Sequence, residues 1–149
     1  MSEIFRVSDL MNSLVELERT GNGFYTKMAG QADDEKIKAL FSMLAGEELK
    51  HEKIYSDLAK EFRENGTAHE VDGEYGAYLK ALVAQHFAFS AENLNTLDAA
   101  LSFAVSLEKE TLIFIAEIQN ILGTQKAELF GRIKGEEQKH LLMLMEYKK

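Results

Sequence analysis

Not one proline interrupts the 149 residues, and in four long stretches apolar residues recur at steps of three and four. Proline removes a backbone donor and clashes with the turn before it, so a chain without it can run in long helices. The alternating step keeps one face of each helix inward. The spacing predicts helices over about 9–29, 34–64, 96–122 and 125–147. Ser8 followed by Asp9 supplies an N-cap and an acidic first turn for the first helix. The cluster Gly30 to Asp33 reads as a turn, Asn65-Gly66 stops the second helix and Gly123 ends the third. Between 66 and 95 the pattern is mixed: Gly73 and Gly76 precede a short apolar helix around Tyr78, Leu79, Leu82 and Val83.

This length suits one domain, 1–149, with a sizeable core. A hydrophobic fraction of 46% beside 28% charged residues is globular rather than disordered. The net charge of −8 argues against binding to nucleic acid or to an anionic membrane surface. The lack of cysteine excludes a disulfide scaffold, thiolate zinc or iron–sulfur sites and a thiol nucleophile, and it fits a reducing cytoplasm. No apolar run reaches the roughly 20 residues of a membrane span, and the first residues lack a signal-peptide core, so the expected location is cytoplasmic. Short connections make the helix pairs 1–2 and 3–4 antiparallel hairpins. The stretch of about 30 residues between helices 2 and 3 is long enough to cross the bundle and set those two helices parallel. An all-α four-helix bundle with one long crossover is the ferritin-like arrangement.

Acids and histidines occupy places in these stripes where hydrophobes belong. Helix 1 reads Met11, Leu14, Glu18, Gly21, Tyr25, Met28, and helix 2 reads Phe41, Leu44, Glu48, His51, Tyr55, Leu58. Helix 3 carries Ala104, Glu108, Thr111, Ile115, and helix 4 carries Ile133, Glu137, His140, Leu144. Residues three apart share a helix face, so Glu48 with His51, and Glu137 with His140, can grip one object. Measured from the two turns, the glutamates of each hairpin lie about 15 residues away, or nearly one level at about 1.5 Å per residue. The halves also match each other. Glu18 and Glu108 are 90 residues apart, while Glu48 and Glu137, and His51 and His140, are 89 apart, which reads as an internal duplication around one central site.

Four carboxylates converging in a core would cost roughly several kcal/mol per unpaired charge. Two divalent cations neutralise them and use both imidazoles. One glutamate from each of two helices and Glu-x-x-His from the other two is the ligand pattern of dinuclear carboxylate sites in ferritin-like bundles. An oxygen-rich set with two nitrogens suits iron or manganese better than closed tetrahedral zinc.

On Glu18 with Phe24-Tyr25, Glu48-Leu49-Lys50-His51, Glu108 with Phe114, and Glu137-Gln138-Lys139-His140, the chain resembles the rubrerythrin branch of the ferritin-like superfamily along nearly its whole length. The resemblance implies a centre of two iron ions, with manganese or a mixed pair as the alternative. Glu48 and Glu137 would bridge, Glu18 and Glu108 would be terminal ligands, and His51 and His140 would complete one ion each, with Tyr25 beside the cluster. It also implies reduction of hydrogen peroxide or dioxygen, an external electron donor such as a rubredoxin, and a homodimer. Rubrerythrins proper carry a four-cysteine rubredoxin-like domain, and many have a further glutamate where this chain has Thr111; the helix 3 counterpart of Tyr25 is Ile115.

Two other functions fit the same residues: ferroxidase and iron handling, against which the missing fifth helix of large ferritins weighs, and a non-catalytic helical module with a structural metal. Tyr25 and Tyr55 fit a core role as well as a place beside the site. Gly21 and Gly23 read as points of close helix packing, and His69 and His86 as surface or packing residues.

Overall fold

In the computed structural model, residues 4–64, 69–86 and 96–148 are described. A two-residue strand β1 (Phe5–Arg6) leads into α1 (Val7–Gln31) and α2 (Glu35–Glu64). A second short strand β2 (Glu70–Val71) and α3 (Gly73–His86) occupy the crossover, and α4 (Leu97–Leu122) and α5 (Ala127–Lys148) form the second hairpin. The architecture is all-α, with the short strands pairing antiparallel as Phe5↔Val71 and Arg6↔Glu70. The expected stop at Asn65-Gly66 lies outside the described residues, as does the whole 87–95 stretch leading to α4. No helix among the described residues is long and apolar enough to cross a membrane.

The start of α1 corrects the sequence expectation. The helix begins at Val7, two residues before Asp9, and Arg6 rather than Ser8 stands at the N-cap. Arg6 is held extended by pairing with Glu70, and its backbone N–H donates to Asp9 Oδ2 at 2.9 Å, so Asp9 serves the helix end from inside its first turn. Elsewhere the caps follow local chemistry. Asp34 Oδ1 accepts from the Lys36 N–H at 2.8 Å before α2, and Thr96 Oγ1 accepts from the Ala99 N–H at 3.0 Å before α4. Gly123 closes α4 at φ +63°, a conformation open to glycine at little cost.

Two apolar clusters form the core. One gathers Leu10, Met11, Leu14 and Leu17 of α1, Tyr55, Leu58 and Phe62 of α2, Leu79 of α3, Phe114 to Leu122 of α4, and Phe130 and Ile133 of α5. The other gathers Phe24 to Ala29, Ile37 to Ala45, Ala100 to Val105, and Leu144. Helices α1 and α5 therefore pass from the first cluster to the second, while α2 and α4 pass from the second to the first. This makes α2 and α4 parallel, as a long crossover requires. Between the clusters, every one of the four long helices reaches a glutamate. Helix α3 is pinned to α4 where the Tyr75 hydroxyl donates to Glu117 and accepts from Asn120.

Candidate metal centre

Glu18, Glu48, His51, Glu108, Glu137 and His140 are all buried, and Glu18 and Glu137 are fully so at 0% exposure. Each sits where its apolar stripe crosses the gap between the two clusters, so the helical period that buries leucines on either side buries these groups too. They meet in two overlapping groups. Ligand-type atoms of Glu48, Glu108, Glu137 and His140 lie within 4.8 Å of one another, and so do those of Glu18, His51 and Glu137. Glu137 belongs to both groups, whereas Glu48 belongs to one. Glu108 and Glu137, the acids of the second hairpin, stand together; Glu18 and Glu48 of the first divide between the groups.

The distances show how His51 and Glu137 link the halves. His51 Nδ1 lies 2.5 Å from Glu137 Oε1 and 4.0 Å from Glu18 Oε1, and His140 Nδ1 lies 3.6 Å from Glu137 Oε2. None of these approaches has the alignment of a hydrogen bond. Both oxygens of Glu18 and of Glu137, Glu108 Oε2, and Nδ1 of both histidines are buried without a hydrogen-bond partner. Leaving one buried carboxylate oxygen or imidazole nitrogen unsatisfied costs on the order of 1–3 kcal/mol. Seven such atoms facing one small volume constitute a coordination shell's worth of lone pairs, which cations would satisfy at once. The donor set fits iron or manganese.

Protons partly stand in for those cations. Burial, and then the charge of Glu137, pushes Glu48 well above the usual carboxylate range; burial, followed by Glu48 and Glu137, does the same to Glu108. For Glu137 burial also works against the charged form, but the close approach of Glu108, His140 and His51 outweighs it and holds the group below the usual range. Burial opposes the charge on His51 as well, yet Glu137, Glu136 and Glu48 together raise it to about 9. Glu48, His51, Glu108 and Glu137 thus share charge, as expected where interacting groups occupy one site.

The neighbours of the six refine the sequence reading. Tyr25 is fully buried, and its hydroxyl donates to Glu108 Oε1 at 2.8 Å, which joins α1 to a ligand-type residue of α4. Tyr55 is equally buried, its ring tilted against that of His51, and its hydroxyl has no hydrogen-bond partner. Thr111 is buried, but its hydroxyl donates to the Leu107 carbonyl of its own helix, so its hydrogen is already used within α4. A Cβ at Gly21 would lie 2.9 Å from Glu48 Oε2, so this glycine leaves room for the carboxylate; a Cβ at Gly23 would meet nothing within 4 Å. The close contact at Gly21 is thus with a site residue, and at Gly23 there is none. His69 packs its ring on Phe62 and belongs to neither group. Sequence reasoning missed Glu136, whose Oε1 lies 2.8 Å from His51 Nε2. The available signal was its place directly before Glu137, matched 89 residues earlier by Glu47 before Glu48.

A family model described as rubrerythrin matches residues 9–148. Among solved structures, the crystal structure of a candidate ferritin-like diiron-carboxylate protein from Thermotoga maritima is similar to this chain. The two are 25% identical, superpose with a TM-score of 0.72, and the alignment covers 97% of this chain and 95% of that one. No curated protein sequence matches the chain.

Proposed function

The chain belongs to the rubrerythrin family, and from that premise we propose that its six buried residues hold two iron ions and that the protein reduces hydrogen peroxide, or dioxygen, with electrons from a separate carrier. The observation that carries this reading is the set of seven buried, unpartnered ligand atoms contributed by four helices to one place. Glu137, which belongs to both groups, would be shared by the ions; by the family resemblance Glu48 would be the second shared carboxylate, Glu18 and Glu108 would be terminal ligands, and His51 and His140 would complete one ion each.

Two iron ions, when bound, supply the two electrons that convert hydrogen peroxide and two protons into two waters. The residues of the chain do the rest. The four carboxylates offset the rising positive charge, and the apolar clusters on either side exclude bulk water, which strengthens those electrostatic contacts. Tyr25 keeps its phenolic proton on Glu108 at 2.8 Å, ready beside the centre. The chain contains no cysteine, so the electrons come from outside the sequence described, for which a rubredoxin has the right chemistry. A reducing cytoplasm and a homodimer complete the proposal.

Metal analysis of protein purified from its native host tests the first half of it, and close to two iron or manganese ions per chain is expected. Fewer than about half an ion per chain with the fold unchanged would favour a structural module. For the chemistry, the anaerobically reduced protein should be oxidised faster by one equivalent of hydrogen peroxide than by air-level dioxygen. Thr111→Glu, which adds the carboxylate present in many rubrerythrins, should raise the peroxide rate. Faster reaction with dioxygen, and no gain in the variant, would move the reading to a ferroxidase or oxidase.

A further inference from the structure

Glu136 lies one residue outside the apolar stripe of α5, and it is 43% exposed while the histidine it touches is 1% exposed. Its Oε1 nonetheless reaches across to α2 and lies 2.8 Å from His51 Nε2. The opposite ring nitrogen of His51, Nδ1, faces Glu137 and Glu18 in the buried centre. A neutral imidazole has one N–H and one lone pair, and a cation can take only the lone pair. A carboxylate on Nε2 therefore settles which nitrogen keeps the hydrogen and turns Nδ1 into the ligand.

The other half of the molecule lacks this contact. By the 89-residue offset the counterpart of Glu136 is Glu47, and the counterpart of the contact would join Glu47 to His140. Glu47 instead pairs with Lys50 of its own helix at 3.9 Å. Resting on the two-ion reading above, we propose that Glu136 is a positioning residue that presents His51 Nδ1 to a cation, and that the two metal positions are unequal because Glu47 does not do the same for His140. Carboxylates behind ligating histidines raise metal affinity by fixing the ring and its tautomer, and removing them typically costs ten- to a hundredfold.

The test is titration of the full chain, freed of metal, with Mn(II) and Co(II) salts, comparing wild type with Glu136→Gln, Glu136→Ala and Glu47→Ala. Wild type should bind two ions with different affinities. Glu136→Ala should weaken the tighter site about ten- to a hundredfold and leave the other within about twofold. Glu136→Gln keeps an acceptor for the Nε2–H and should lose much less. Glu47→Ala should change neither site. In the Zn(II)-loaded protein, nitrogen-15 spectra of the histidine ring should show His51 with its hydrogen on Nε2, and that signature should weaken in Glu136→Ala. Because Glu136 is partly exposed, its variants should retain the wild-type circular dichroism. Two ions bound by Glu136→Ala as by wild type, or an equal loss in Glu47→Ala, would overturn the assignment and leave the two-ion reading standing. Wild type that binds no cation would overturn both.

Discussion

At matched positions the hairpins α1–α2 and α4–α5 carry the same ligand-type residues but different neighbours, Gly21 against Thr111, Tyr25 against Ile115 and Tyr55 against Leu144, while Glu47 and Glu136 match in type and differ in what they touch. Two of these positions make contacts that cross between the halves. Tyr25 of the first hairpin donates to Glu108 of the second, and Glu136 of the second meets His51 of the first. Each half braces one ligand of the other. A duplicated scaffold can therefore keep its ligands in register while its surroundings make the two positions chemically distinct. Register comes from helix length and period, whereas bracing depends on which side chain stands at each neighbouring point.

The largest expected effect breaks the shared element. Glu137→Ala should lose both ions, since its carboxylate belongs to both groups, whereas Glu18→Ala should weaken mainly one. Metal analysis after desalting checks this, and equal retention by the two variants would contradict the shared role. A smaller effect follows from His51, whose ordinary value of 6.5 is raised to about 9, against its burial, by Glu137 and Glu136 of the opposite half together with Glu48. The folded metal-free protein then holds a proton that the unfolded chain releases. The associated stability is fully present below about pH 6.5 and is lost as pH rises towards about 9. The raised carboxyls of Glu48 and Glu108 act in the same direction. Thermal unfolding with chelator should thus show a falling Tm across that window, and His51→Gln should flatten the slope. Saturation with Mn(II) should flatten it too, because a cation replaces the proton.

Gly21→Ala tests the difference between Gly21 and Thr111. Its methyl would come within 2.9 Å of Glu48 Oε2, so Glu48 or α1 must shift. The expected cost is about 1–3 kcal/mol of stability in the metal-loaded protein, read by denaturant unfolding; Thr111→Ala should cost less than Gly21→Ala. The smallest effect is that of Tyr25→Phe. Loss of the hydroxyl that donates to Glu108 should destabilise the fold by about 1 kcal/mol and leave the ion count at two. Ile115 has no hydroxyl to lose, so Ile115→Val should leave Glu108 unaffected and cost only what a trimmed core methyl costs.

The helices were legible because their signals are local: periodic apolar residues, the Thr96 cap, the Gly123 stop and the absence of proline all act within a few residues of chain. The start of α1 was less so. Ser8 and Asp9 look like a cap, but pairing of Phe5–Arg6 with Glu70–Val71, distant in sequence, holds Arg6 extended and moves the helix start to Val7. Thr111 illustrates the opposite case. Its inward register was plain, yet only the bond to Leu107 O shows that its hydroxyl is already used within α4.

The sequence by itself determined the all-α bundle, the duplicated spacing and the six residues brought to one place. Helical geometry turns residue spacing into height and facing direction, so three residues or ninety residues along the chain carry nearly fixed spatial meaning. Only the tertiary structure decided that Glu137 is common to both groups, that Glu18 and Glu48 part company, that Gly21 makes room for Glu48 and that Glu136 reaches His51. Those outcomes depend on how far each helix is rotated about its axis against its neighbours and on which rotamer each long side chain adopts. A rotation or rotamer change that leaves every apolar stripe facing inward can still move a carboxylate oxygen from one partner to another, and no pattern along a single helix records it.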